Sequence, residues 1–182
     1  MNDVLLIIDM QNAYKTGQPW GCPNIHSVIS NIQKLLSSRT YRAVYFTRHL
    51  PGTSPAGTWK QYNEHYDQIN DTPELSEIVT ELKPFAKMHS VLDKSSYSAV
   101  PALPQELFTE PMPRIAVTGV VAQCCVLSTV LGLVDRGIEI LYLKDAVTAQ
   151  HPNLVQMTET IVDSFSPIHT KIISTDKYLS PD

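Results

Sequence analysis

The feature that most constrains this chain is the alternation of short, unbroken apolar runs with stretches of helical periodicity. Val4-Leu5-Leu6-Ile7-Ile8 is apolar at every position. A strand with one wet face alternates apolar and polar residues, so an unbroken run fits a strand covered on both faces, as in a parallel sheet. Ile25, Val28, Ile29, Ile32, Leu35 and Leu36 then recur at helical spacing behind Asn24, a candidate N-cap. Residues 42–47 read as a second strand and Val91-Leu92 as a short third one. Segment 49–71 is polar, aromatic and irregular, and a loop of that length is often functional. Thr72-Pro73 opens a short helix. Strand 114–118, turn 119–124 and helix 126–136, ended by Gly137, follow. Strand 138–143 comes next, then a helix with Leu154, Met157, Ile161 and Phe165 on one face, and a last strand at 168–173. The pattern predicts one three-layer α/β/α domain over 1–182, with a mostly parallel sheet of about six strands.

With 182 residues, 43% of them hydrophobic, the chain buries roughly two thirds of the surface its unfolded form exposes. The net charge is −4 and Lys and Arg form no run, which argues against nucleic acid as a partner. No apolar stretch approaches the ~20 residues of a membrane helix, so no membrane partner is expected. The opening run is too short for a signal peptide and lacks a basic flank. A cytoplasmic location is the expectation. The three cysteines, Cys22, Cys124 and Cys125, show no CxxC spacing, and the adjacent pair does not suit an ordinary structural disulfide.

In open α/β sheets, sites lie at the carboxyl ends of strands. Asp9 ends the first run, as a functional carboxylate or as a plain turn residue. Cys125 falls where a strand turns into a helix. Partial positive charge and free N–H groups at a helix start favour a thiolate, lower its pKa and offer oxyanion donors. A buried inert cysteine is the competing reading, and Cys124, one residue away, is expected to point elsewhere as such a residue. Lys94 follows a short apolar stretch, where most lysines are solvated.

Three segments weigh on these alternatives. Ile7-Ile8-Asp9-Met10-Gln11-Asn12, Lys94-Ser95-Ser96-Tyr97-Ser98-Ala99 and the turn from Gly119 to Val126 resemble, in order and spacing, motifs of the isochorismatase-like superfamily, in its cysteine-hydrolase branch. Asp135-Arg136-Gly137 and Asp145-Ala146 extend the likeness over nearly the whole chain. The resemblance implies Cys125 as nucleophile, Asp9 as general base and Lys94 as the cation that holds Asp9 ionised. It implies a cis peptide at Val121–Ala122 and an oxyanion hole from the Ala122 and Cys125 N–H groups. Gln11 and Tyr97, within the matching motifs, join Trp20, Trp59 and Tyr62 as the expected substrate-binding set. Tyr66 is a further candidate wall. The departures are Ala122 and Gln123 in the nucleophile turn, Ala13, Val100, and Tyr14 where relatives carry Phe.

Nicotinamidases of the superfamily hold a metal through an Asp-x-His segment and a further His. Here that segment is Thr47-Arg48-His49, with His65 as the only candidate for the other His. Two histidines without the carboxylate make a poor site, so no metal and no cofactor are expected. The expected function is hydrolysis of a small amide, ureide or carbamoyl compound through a thioester. A vinyl-ether isochorismatase, whose branch typically lacks the cysteine, a non-catalytic binding subunit and a redox role for Cys124-Cys125 are the competing readings. Relatives are commonly homo-oligomers, and the resemblance implies the same here.

Overall fold

The computed structural model describes residues 3–180. Its centre is a six-stranded, all-parallel sheet. The strands are β1 (Val4–Ile8), β2 (Ala43–His49), β3 (Ser90–Lys94), β4 (Ile115–Gly119), β5 (Ile140–Val147) and β6 (Thr170–Ile173). They lie in the order β3-β2-β1-β4-β5-β6. The helices are α1 (Ile25–Ser38), α2 (Thr58–His65), α3 (Asp67–Asn70), α4 (Pro73–Ser76), α5 (Lys83–Ala86), α6 (Leu127–Val134), α7 (Pro152–Asp163) and α8 (Thr175–Leu179). The expected three-layer α/β architecture is therefore the observed one.

The apolar run of β1 is buried at all five positions, because each face of the central strand meets a different layer. Leu5 and Ile7 pack with Ile25, Val28, Ile29, Ile32 and Leu35 of α1. Val4, Leu6 and Ile8 pack with Val130 and Leu133 of α6. That alternation is the period-2 geometry of a strand. The strand order reverses between β1 and β4, which places a crevice at their carboxyl ends. Gly119, at φ 109°, lets β4 close on β1 there. A Cβ on it would lie 2.1 Å from the Ile8 carbonyl oxygen.

Several local expectations are corrected. Segment 49–71, read as irregular and too long for a plain connection, carries α2 and α3. Asn24 precedes α1 but makes no side-chain cap. β2 runs to His49 and β3 to Lys94, so both residues end strands. In α7 the inward positions are Thr158 and Val162, while Met157 and Ile161 are exposed. The predicted stripe picked the wrong register because the helix buries small and polar-edged residues and leaves larger apolar ones outside.

Candidate active site

Three strand ends and one turn build the site. Asp9 follows β1, fully buried, with a positive φ of 51°. That conformation is uncommon outside glycine and costs backbone energy, although Asp tolerates it better than most residues. Thr47 of β2 holds it in place. The Asp9 N–H donates to Thr47 Oγ1 at 3.1 Å, and the Thr47 hydroxyl donates to Asp9 Oδ1 at 2.6 Å. Lys94 ends β3, two strands away from β1. Its long side chain passes the end of β2 and brings Nζ to 2.7 Å from Asp9 Oδ2. The same ammonium donates to the Ser96 carbonyl at 3.0 Å and lies 3.5 Å from Cys125 Sγ.

Cys125 sits in a wide π-type turn, Ala122–Val126, between β4 and α6. Thr129 fastens this turn: its hydroxyl donates to the Cys125 carbonyl at 2.6 Å and accepts from the Ala99 N–H at 2.9 Å. Asp9, Lys94 and Cys125, expected to meet, do meet, at 0%, 7% and 3% exposure. Lys94 is thus buried and paired rather than solvated.

The electrostatics differ from the expectation for a free thiolate. Burial pushes the Cys125 thiol well above its ordinary range, the Asp9 charge pushes it further, and Lys94 opposes both. Lys94 is itself held above its ordinary value. Its burial acts downward, and the charges of Asp9 and Cys125 outweigh that effect. The resting site is accordingly an ion pair beside a neutral thiol.

The cis-peptide expectation shifts by one residue. The cis peptide lies at Val120–Val121, not Val121–Ala122. The Ala122 N–H donates to the Thr148 carbonyl at 2.9 Å, so it is committed to holding the turn against the loop after β5.

A cavity of about 230 Å³ opens above Cys125. Its walls are the rings of Tyr14, Trp20, Tyr62, Tyr66 and Tyr97, the His49 imidazole, Val121, and the amides of Gln123 and Gln150. Trp20, Tyr62 and Tyr97 fall where expected. Trp59 does not line the cavity; it supports the walls from edge-on contacts with Tyr62 and Tyr97, ring centroids 5.2 and 5.0 Å apart. Gln11 is not in the wall either. Its amide accepts from the His49 N–H at 2.8 Å and donates to the His49 and Ser76 carbonyls at 3.1 and 2.9 Å, so it ties the end of β2 to the α4 turn. Cys124 does line the cavity, against the expectation that it points elsewhere.

Sequence reasoning missed Thr47 as the clamp on Asp9, and Gln123 and Gln150 as walls. Thr47 was legible in principle, since it lies on the strand beside β1, one step beyond the Ile7–Phe46 pairing. The residues do not fit a metal of the nicotinamidase kind. Thr47 stands where the carboxylate would be and is spent on Asp9. No cluster of three or more His, Cys, Asp or Glu side chains suited to a metal occurs among the described residues. No helix among them is long and apolar enough to cross a membrane.

Comparison with known proteins gives the family and the fold. The profile of the Isochorismatase domain matches residues 3–172, and the chain belongs to the isochorismatase family. It is 39% identical to human Isochorismatase domain-containing protein 2 over 80 residues, 43% of this chain and 36% of that protein. It is 25% identical to N-carbamoylsarcosine amidase of an Arthrobacter species over 179 residues, 86% of this chain and 63% of that enzyme. The matched stretches thus span less than two thirds of either relative. Among solved structures, an isochorismatase family protein from Desulfovibrio vulgaris shares the fold with a TM-score of 0.81 at 20% identity, covering 97% of this chain and 96% of that one.

Proposed function

We propose that this protein is a cysteine-dependent hydrolase of a small amide, ureide or carbamoyl compound, working through a thioester on Cys125. The observation that carries the reading is Lys94 Nζ, 2.7 Å from Asp9 and 3.5 Å from Cys125 Sγ, beneath an aromatic cavity. A carboxylate, a cation and a thiol within reach of one another suit a covalent route. The amidase among the relatives supports the same class of bond.

In this mechanism Asp9 takes the thiol proton as Sγ attacks the substrate carbonyl carbon. A thiol that stays protonated at rest suits that role, because the proton leaves only as the bond forms. The oxyanion meets the N–H groups of Val121 and Cys125, since that of Ala122 is engaged by Thr148. Collapse breaks the C–N bond, and Asp9 returns the proton to the leaving nitrogen. Water then attacks the thioester, giving a proton to Asp9, which passes it back to the departing sulfur. Lys94 stays paired with Asp9 between steps. Ammonia release from a panel of primary amides and carbamoyl compounds tests the reading; silence across the panel counts against it.

Three free cysteines support a reducing, cytoplasmic setting. Met157, Ile161 and Ile168, exposed on and after α7, support a homo-oligomer.

No step in this scheme draws on a metal. Extensive EDTA treatment is expected to leave ammonia release unchanged; activity lost to EDTA and restored by zinc or iron would show a metal site in the 49–71 region.

Stability should fall in alkali. The Cys125 thiol is raised by burial, and burial lifts Cys22 to about 12, against ordinary thiols at 9.0. A group raised on folding contributes stability that is complete below its unfolded pKa and is lost as pH rises toward the folded one. Urea midpoints are therefore expected to hold up to about pH 8.5 and to fall above the ordinary thiol range. A midpoint that rises with pH there contradicts the buried neutral thiols.

A further inference from the structure

Among the described residues, no Lys, Arg, Asp or Glu lines the cavity above Cys125. The cation beneath it, Lys94, is already matched by Asp9. The walls do hold unmet hydrogen-bonding groups. Both ring nitrogens of His49, at 4% exposure, lack a partner, and so does the buried Oε1 of Gln123. The Ser96 carbonyl, which receives Lys94, lies near the imidazole, but no hydrogen bond of normal geometry joins it to His49. Gln123 Nε2 is only loosely engaged, 3.4 Å from Gln150 Oε1. Buried polar atoms left unpaired are costly unless a ligand or water meets them.

We propose that this pocket selects uncharged amides or ureides over carboxylate-bearing ones, with His49 and Gln123 reading a polar group near the scissile bond. The inference rests on the amide-hydrolase reading and names its substrate class. A carboxylate entering these walls sheds water and finds no free counter-charge, so it is rejected. A neutral ligand loses less water and pairs the waiting groups. Burial, and then Lys94, lower the proton affinity of His49, so its imidazole is neutral and offers one donor and one acceptor. Gln123 Oε1 accepts, so the ligand presents an N–H to it. The cavity volume, about 230 Å³, lies below the range typical of drug-sized ligands, roughly 300–1,000 Å³, and limits the substrate to a small molecule.

The test uses binding, so that it does not depend on turnover. N-carbamoylglycinamide and N-carbamoylglycine, which differ by one terminal amide against one carboxylate, are titrated calorimetrically into the Cys125→Ala protein. The neutral compound is expected to bind about a hundredfold tighter or more. His49→Phe should weaken it about tenfold. Gln150→Lys, which adds a cation to the wall, should narrow the gap at least about tenfold by strengthening the carboxylate. Equal or tighter binding of N-carbamoylglycine, or binding of neither compound, overturns the proposal. If the wild-type protein releases no ammonia from any amide while the binding preference holds, the hydrolase reading falls and the charge selection stands.

Discussion

Cys125→Ala is expected to abolish ammonia release while leaving the fold intact. The substitution removes the sulfur and nothing that holds the turn. Thr129 fastens the Cys125 backbone carbonyl, not its side chain, so the clamp survives. Truncating one small buried side chain costs about 1–2 kcal/mol, which a domain of this size tolerates. Activity should fall to the uncatalysed rate, because no other group within reach of Lys94 forms a thioester. Cys124→Ala is the control. Cys124 also faces the cavity, but neither Asp9 nor Lys94 acts on it; its proton affinity is raised by burial alone. That variant should keep most of its kcat and change mainly KM. If Cys124→Ala is the dead enzyme and Cys125→Ala works, the nucleophile assignment is wrong.

Lys94→Met should lose both activity and stability. The change strands the Asp9 carboxylate at full burial, and removing one partner of a buried pair typically costs about 3–5 kcal/mol. Thr47 still donates to Asp9, so the loss should fall toward the lower end of that range. Activity should drop by about 10³-fold, within the range for a lost proton-transfer group, since the ammonium that stands against both Asp9 and the Cys125 sulfur is gone. The double variant Asp9→Leu, Lys94→Met separates the two effects. With the unpaired charge gone, it should be more stable than Lys94→Met in urea denaturation, yet equally inactive. A Lys94→Met protein with wild-type stability and kcat would remove Lys94 from the mechanism.

How much of this was legible in the sequence depends on the physics behind each residue. The β1 run predicted a strand buried on both faces because burial imposes that pattern directly, and Asp9 was placed by where the run stops. Lys94 shows the opposite. Lysine statistics favour solvent, and the family likeness, not spacing, put it inside. What decides its burial is Asp9, 85 residues earlier in the chain, through an ion pair no local pattern records. Gln11 sat in a matching motif and read as a substrate contact, but its three hydrogen bonds all go to backbone, a fate set by the neighbouring chain. Thr47 reads as a residue that cannot replace a metal-binding carboxylate; its partner is Asp9 across the sheet. The α7 register failed because apolar periodicity assumes that large residues turn inward, whereas Thr158, whose hydroxyl is satisfied by the Leu154 carbonyl, takes an inward position. The lowered thiol pKa also failed, since reasoning from a helix start omitted burial and the Asp9 charge.

The measurement closest to the central claim is intact-mass analysis of the enzyme, quenched in acid during turnover of its best substrate from the ammonia-release panel, followed by peptide mapping. The account predicts a single added acyl or carbamoyl mass on Cys125, labile to hydroxylamine as a thioester is, and absent from Cys125→Ala. Turnover with the adduct on Cys124 instead, or with unchanged activity in Cys125→Ala and no adduct at any time point, would contradict it.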